Sequence, residues 1–165
     1  MSQGATDLLR GRAASNPRVP EQPRRRTIRQ NAETLAAVPL FQGFSKRHLH
    51  RLAAQADELS FEPREDIVEE GMLGETLFVV LSGKGKVTRK RRKVGEVLPG
   101  DFFGELSALD GGPRTATVTA ETPMRVLRLF RHTLMDLLRD EPRLILKLLD
   151  GIVRRIREIE RHDVG

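Results

Sequence analysis

The chain has 165 residues, no cysteine, tryptophan or tyrosine, and a formal net charge of +6. That length fits one domain with a real core and not a second of ordinary size, and the absence of cysteine excludes a disulfide framework, a thiolate metal site and a cysteine nucleophile, as suits a reducing compartment. No apolar run approaches the ~20 residues of a membrane span and no apolar leader opens the chain, so the sequence predicts a soluble cytoplasmic protein.

The charge is unevenly spread. Residues 1–31 hold seven arginines against Asp7 and Glu21, which places five of the six net positive charges there. Rich also in Pro, Gly and Ser, this segment cannot bury a core and is predicted to be a disordered basic tail. The remaining domain, residues 32–163, is nearly neutral and lacks the broad basic footprint of a nucleic-acid binder. Within the tail, Arg24-Arg25-Arg26-Thr27-Ile28 matches a basophilic kinase substrate pattern, for which solvated charge is the simpler reading. Next, residues 32–38 form a short helical run stopped by Pro39. Ser45 can cap a second helix, whose Leu49, Leu52, Ala53 and Ala56 follow helical spacing. His48 and His50 lie two apart, share no helical face, and read as surface histidines rather than metal ligands.

Between residues 58 and 130 short extended runs alternate with Gly and Pro. This is the pattern of an antiparallel sandwich or barrel and not of β-α-β units. The predicted strands are 57–61, 67–70, 76–82, 86–90, 93–98, 116–121 and 124–130 in a roll of about eight. The fold class is therefore α+β: an antiparallel β-roll or jelly roll with an N-terminal helical segment, a short helix between strands, and C-terminal helices. The basic run from Lys84 to Lys93 falls where two strands meet and reads as a solvated hairpin tip. Its lysines discourage edge pairing, and it lacks the interleaved aromatics of a single-strand nucleic-acid site.

Residues 99–118 look like a site. Gly104 precedes a helix-compatible run from Glu105 to Leu109, so unpaired N–H groups and a positive dipole end face whatever lies before that turn. Arg114 follows one Gly-Gly-Pro turn later and supplies the guanidinium that a phosphate site needs. Glu105 would repel a phosphate unless it accepts hydrogen bonds from ligand hydroxyls, as acidic residues do with ribose. Together these residues point to a ribose phosphate.

The run Phe103-Gly-Glu-Leu-Ser-Ala-Leu109, with Gly111-Gly-Pro-Arg-Thr-Ala-Thr-Val118, resembles the phosphate-binding cassette of cyclic-nucleotide-binding domains, as in kinase regulatory subunits, cyclic-nucleotide-gated channels and the catabolite activator. The flanks are similar too: Pro39-Leu-Phe-Gln-Gly-Phe44, and Glu70-Gly-Met-Leu-Gly-Glu-Thr-Leu-Phe-Val-Val-Leu-Ser-Gly83. The resemblance spans roughly residues 32–160. It implies that Glu105 holds the ribose 2′-OH, that Arg114 pairs with the cyclic phosphate, that backbone amides near Gly104, Glu105 and Ser107 complete the cradle, and that Leu106 is among the ligand-binding residues. Thr115 follows the cassette arginine, where its hydroxyl can reach a guanine amino group. cAMP or cGMP is the implied ligand, with cAMP favoured on family breadth, and no cofactor is expected.

C-terminal to the roll, residues 131–139 read as a short helix, re-aimed at Glu141-Pro142 into a longer one over 143–161. Ile145, Leu149, Ile152, Ile156 and Ile159 recur at 4-3-4-3 spacing, a seam of barely two heptads with Gly151 at its centre. The resemblance implies a lid helix that swings over the nucleotide and can pair with its twin, with Ile152, Arg155 and Ile156 as candidates to cover the base. With the chain ending at Gly165, the sequence predicts a free-standing, non-enzymatic sensor acting on an unknown effector protein. Two alternatives differ in class. A cupin-type enzyme needs histidines inside the barrel, whereas three of the four lie in predicted helices and His162 near the terminus. A ligand-independent scaffold or dimerisation module would keep the cassette turn and bind nothing.

Overall fold

The computed structural model describes residues 27–163, so the run Arg24 to Arg26 and most of the predicted tail lie outside the described residues. Helix α1 (Ile28–Ala36) begins four residues before the expected helical start and takes 28–31 from that tail. The cause is local: Thr27 and Gln30 form a reciprocal capping box that satisfies two N–H groups at the helix start. A 3-10 turn (Pro39–Phe41) leads to α2 (Lys46–Gln55), which Ser45 caps through the His48 N–H. His48 also approaches Glu141 at 2.9 Å, so it ties α2 to the C-terminal helices. Among the described residues no cluster of His, Asp or Glu could hold a metal ion.

Eight antiparallel strands follow in two four-stranded sheets. They are β1 (Asp57–Phe61), β2 (Asp66–Val68), β3 (Thr76–Ser82), β4 (Gly85–Arg89), β5 (Arg92–Val97), β6 (Phe102–Phe103), β7 (Thr117–Ala120) and β8 (Met124–Phe130). One sheet has the order β1-β8-β3-β6 and the other β2-β7-β4-β5, which is the β-roll expected from the strand pattern. The strand absent from the expected series is β6, only two residues long and hidden inside the cassette run.

Strand β3 explains why the roll carries helices on one side. Its run Leu77-Phe78-Val79-Val80 is buried throughout because successive side chains face opposite ways and both faces are covered. Phe78 and Val80 point into the roll with Leu59, Phe103, Val118 and Val126. Leu77 and Val79 point outward onto a second core with Leu35, Phe41, Leu52, Leu134, Leu144 and Leu148 from the helices. Helix α3 (Glu105–Asp110) is inserted between β6 and β7, and α4 (Arg131–Asp140) and α5 (Pro142–Asp163) follow the roll.

The basic run forms the β4-β5 hairpin, with Arg89 opposite Arg92. Lys90 and Arg91, the two turn residues, both have positive φ, at 50° and 65°. Such turns usually take Asn and Gly; here a Glu70 carboxylate oxygen accepts the Lys90 N–H and offsets part of the strain. The predicted seam on α5 is split. Leu144 and Leu148 face the core, Ile145, Leu146, Leu149, Val153 and Ile156 are exposed, and the side chain of Ile159 is outside the described ones. No described helix is long and apolar enough to cross a membrane.

Candidate functional site

Strand β6 runs straight into α3, so the first N–H groups of that helix, from Glu105 to Ser107, have no intrahelical acceptor. Gly104 makes the junction with φ 81°, a conformation costly for any other residue. A Cβ there would also lie 2.7 Å from both the Thr76 carbonyl oxygen and Arg114 Nη1. The site therefore needs a bare backbone at residue 104.

Arg114 is 7% exposed and tightly held. Its Nη1 donates to the carbonyl oxygens of Thr76, at 2.9 Å, and Gly104, at 3.1 Å; Nη2 donates to Thr76 Oγ1 at 2.8 Å. A guanidinium has five N–H donors, so the Nε–H and one Nη2–H on the adjoining edge are left over. Burial pushes the Arg114 pKa down from its ordinary value, against the opposing pull of the Glu105 carboxylate. An anion docked on the free edge would relieve the desolvation that causes this shift.

Glu105 is 4% exposed, and both of its oxygens accept from Arg155 Nη1 on α5, at 2.8 and 2.7 Å. The Arg155 guanidinium also lies 5.4 Å from the centre of the Phe102 ring. Beneath it α5 comes close to β6 at Gly151, where a Cβ would fall 2.2 Å from Phe102 Cζ. Helix α5 is thus seated by a ring, a glycine and an ion pair, the last made to the cassette itself.

Between the cassette, α5 and the β2-β7-β4-β5 sheet lies one cavity. Gly104, Glu105, Leu106, Ser107, Arg114, Thr115, Ile152, Arg155 and Ile156 all contribute to its wall, so the structure brings the nine sequence-derived candidates together. Ser107 is buried, Thr115 exposed, and Leu106 and Ile156 are 40% and 51% exposed at the rim. Val87, Val94, Val118 and Phe103 supply an apolar wall, and Glu96 and Glu158 also border the cavity.

Sequence reasoning missed three contributors. Thr76 orients Arg114, Phe102 supports α5, and Glu158 shares a helical face with Arg155. Only the last carried a signal, its spacing of three from Arg155 on one helix.

The profile of the family described as "Cyclic nucleotide-binding domain" matches residues 58–141. Over 130 residues the chain is 34% identical to a CRP-like cAMP-activated global transcriptional regulator of Mycobacterium tuberculosis, covering 76% of this chain and 58% of that one. The chain thus spans rather more than half the length of that curated relative. Among solved structures, the Thermus thermophilus catabolite activator protein superposes with a TM-score of 0.66 at 30% identity, over 75% of this chain and 61% of that one. The cAMP-bound PfPKA-R superposes with a TM-score of 0.75 over 82% of this chain and 47% of that one, and at 22% identity it speaks for the fold alone. With the profile covering half of its residues and the roll, inserted helix and C-terminal helices in place, the chain belongs to the cyclic nucleotide-binding domain family.

Proposed function

We propose that this protein is a non-enzymatic regulatory sensor of a purine cyclic nucleotide, cAMP in preference to cGMP, and that α5 carries the signal as a lid. One observation carries the reading: a carboxylate and a guanidinium, each less than a tenth exposed, border one cavity with opposite chemistry to offer. Glu105 would accept hydrogen bonds from ligand hydroxyls, and Arg114 would present its unused N–H edge to a phosphodiester. Backbone amides at the start of α3 would complete the cradle, and Ile152 and Ile156 would cover the base. The M. tuberculosis regulator is cAMP-activated, which favours that ligand. The domain would run from the start of α1 at Ile28 through α5, act in the cytoplasm, and pass its signal to an effector protein that distinguishes lid positions.

A second reading, a ligand-independent dimerisation module, is favoured by the exposed Leu146, Leu149, Val153 and Ile156 on α5. Their 3-4-3 spacing is that of a helix-pairing seam. Thermal melting separates the two. At ligand 100-fold above its dissociation constant, specific binding adds about 2.7 kcal/mol, so cAMP should raise the melting temperature clearly. An unchanged melting curve with millimolar cAMP and with millimolar cGMP would favour the scaffold.

A further inference from the structure

The tip of the basic β4-β5 hairpin breaks two local rules at once. Arg89 stands opposite Arg92, and like charges in that relation are destabilising. Lys90 and Arg91 take the positive φ angles that suit Asn and Gly. At the base of the same hairpin, Lys84 and Lys93 are neutralised by Glu96 and Glu121. At the tip, the side chains of Arg89, Lys90, Arg91 and Arg92 pair with no carboxylate among the described residues.

A second unusual feature is fastened to that tip. Met72 and Leu73, in the loop between β2 and β3, are 59% and 80% exposed. The loop is held at both ends of the pair: a Glu70 carboxylate oxygen accepts the Lys90 N–H at 2.9 Å, and the Glu70 N–H donates to Thr117 Oγ1 at 2.9 Å. The Met72 carbonyl oxygen accepts the Arg114 N–H at 2.9 Å, and Leu73 bridges to Pro113. Two apolar side chains are thus kept in the open next to four unpaired cations.

We infer that the hairpin tip and the Met72-Leu73 loop together form a docking surface for a bilayer of anionic phospholipids. Each Lys or Arg held near such a surface strengthens partitioning by about fivefold, and exposed apolar side chains enter the boundary between headgroups and acyl chains. Glu69 and Glu70 lie in the same loop but are outnumbered by the four cations, and residues 1–31 add further net positive charge to the chain. A nucleic acid would meet the same cations yet have no use for Met72 and Leu73. The tip also lacks the aromatic side chains on which bases stack, and the chain has no Trp or Tyr. A strained, like-charged turn is what binding selects where stability alone would favour Asn-Gly. None of the six side chains borders the cavity, which β4 meets instead through Val87, so lipid and nucleotide would engage different groups of one sheet.

The test is cosedimentation of the full chain with vesicles of phosphatidylcholine alone and of phosphatidylcholine mixed with phosphatidylglycerol. The unmodified chain should bind the mixed vesicles, less so as salt is raised, and not the neutral ones. Lys90→Asn/Arg91→Gly installs a favoured hairpin turn, so its melting temperature should rise while its partitioning falls by roughly 10- to 30-fold. A loss of binding in that variant is then not a loss of fold. Met72→Ser/Leu73→Ser keeps every charge and should weaken binding to the mixed vesicles by about fivefold or more. Undiminished binding by Lys90→Asn/Arg91→Gly would overturn the inference and leave any membrane attraction to the arginines of residues 1–31. Loss in the charge variant without loss in the serine variant would overturn it too, making the tip a general polyanion contact. So would equal binding to neutral vesicles, no binding to either kind, or tighter binding to duplex DNA than to the mixed vesicles.

Discussion

At the residue scale, the chemistry of the site comes from groups that are fixed before any ligand arrives. Thr76 and Gly104 use up one edge of the Arg114 guanidinium and aim the other, while Gly104 keeps the backbone thin enough for that to happen. On the proposed reading, selectivity would be set further out. Thr115 is exposed on the cavity wall, and the family resemblance would put its hydroxyl within reach of a guanine amino group. Thr115→Ala should therefore weaken cGMP more than cAMP, by roughly the worth of one hydrogen bond, about 0.5–1.5 kcal/mol. Competition binding with both nucleotides checks this, and equal losses would remove the hydroxyl from discrimination. Glu105 and Arg114 were legible in the sequence because a short cassette encodes both. The Glu105-Arg155 pair was not, since no local spacing joins residues 50 positions apart.

At the element scale, two competing effects meet at Gly151. Alanine in a helix interior gains about 1 kcal/mol over glycine, but its Cβ would fall 2.2 Å from Phe102 Cζ, and overpacking costs about 1–3 kcal/mol. The clash should win. Gly151→Ala is expected to lower the melting temperature and weaken cyclic-nucleotide binding by lifting α5 from β6. A rise in melting temperature would mean that α5 does not rest on Phe102. The sequence marked Gly151 only as a weak point in a seam, because periodicity shows helix faces and not what lies beneath them. The strands were read more successfully. Strand β3 is a continuous apolar run between Gly-rich turns, and its burial on both faces is what such a run implies. The two-residue β6 escaped because its strand and cassette roles overlap in Phe102-Phe103. The start of α1 escaped because its capping residue, Thr27, sits among arginines that read as tail.

At the scale of the whole molecule, the roll supplies a rigid wall and α5 the part that a partner could sense. On the proposed reading, a ligand that stabilises α5 over the cavity would also bias whatever docks on its outer face. That face carries Leu146, Leu149 and Val153, all between 48% and 68% exposed. If it pairs with a second copy, Leu149→Glu with Val153→Glu should convert a dimer to a monomer in sedimentation velocity without abolishing nucleotide binding. A monomer before and after the change would leave the face to a different partner. The central claim, that the carboxylate at 105 and the guanidinium at 114 grip one cyclic nucleotide between them, has a more direct test in calorimetric titration of cAMP into the unmodified chain, Glu105→Ala and Arg114→Ala. Saturable binding by the unmodified chain, weakened by about 2–5 kcal/mol in the arginine variant and clearly weakened in the glutamate variant, is the predicted result. Affinities that are equal across all three proteins would contradict it.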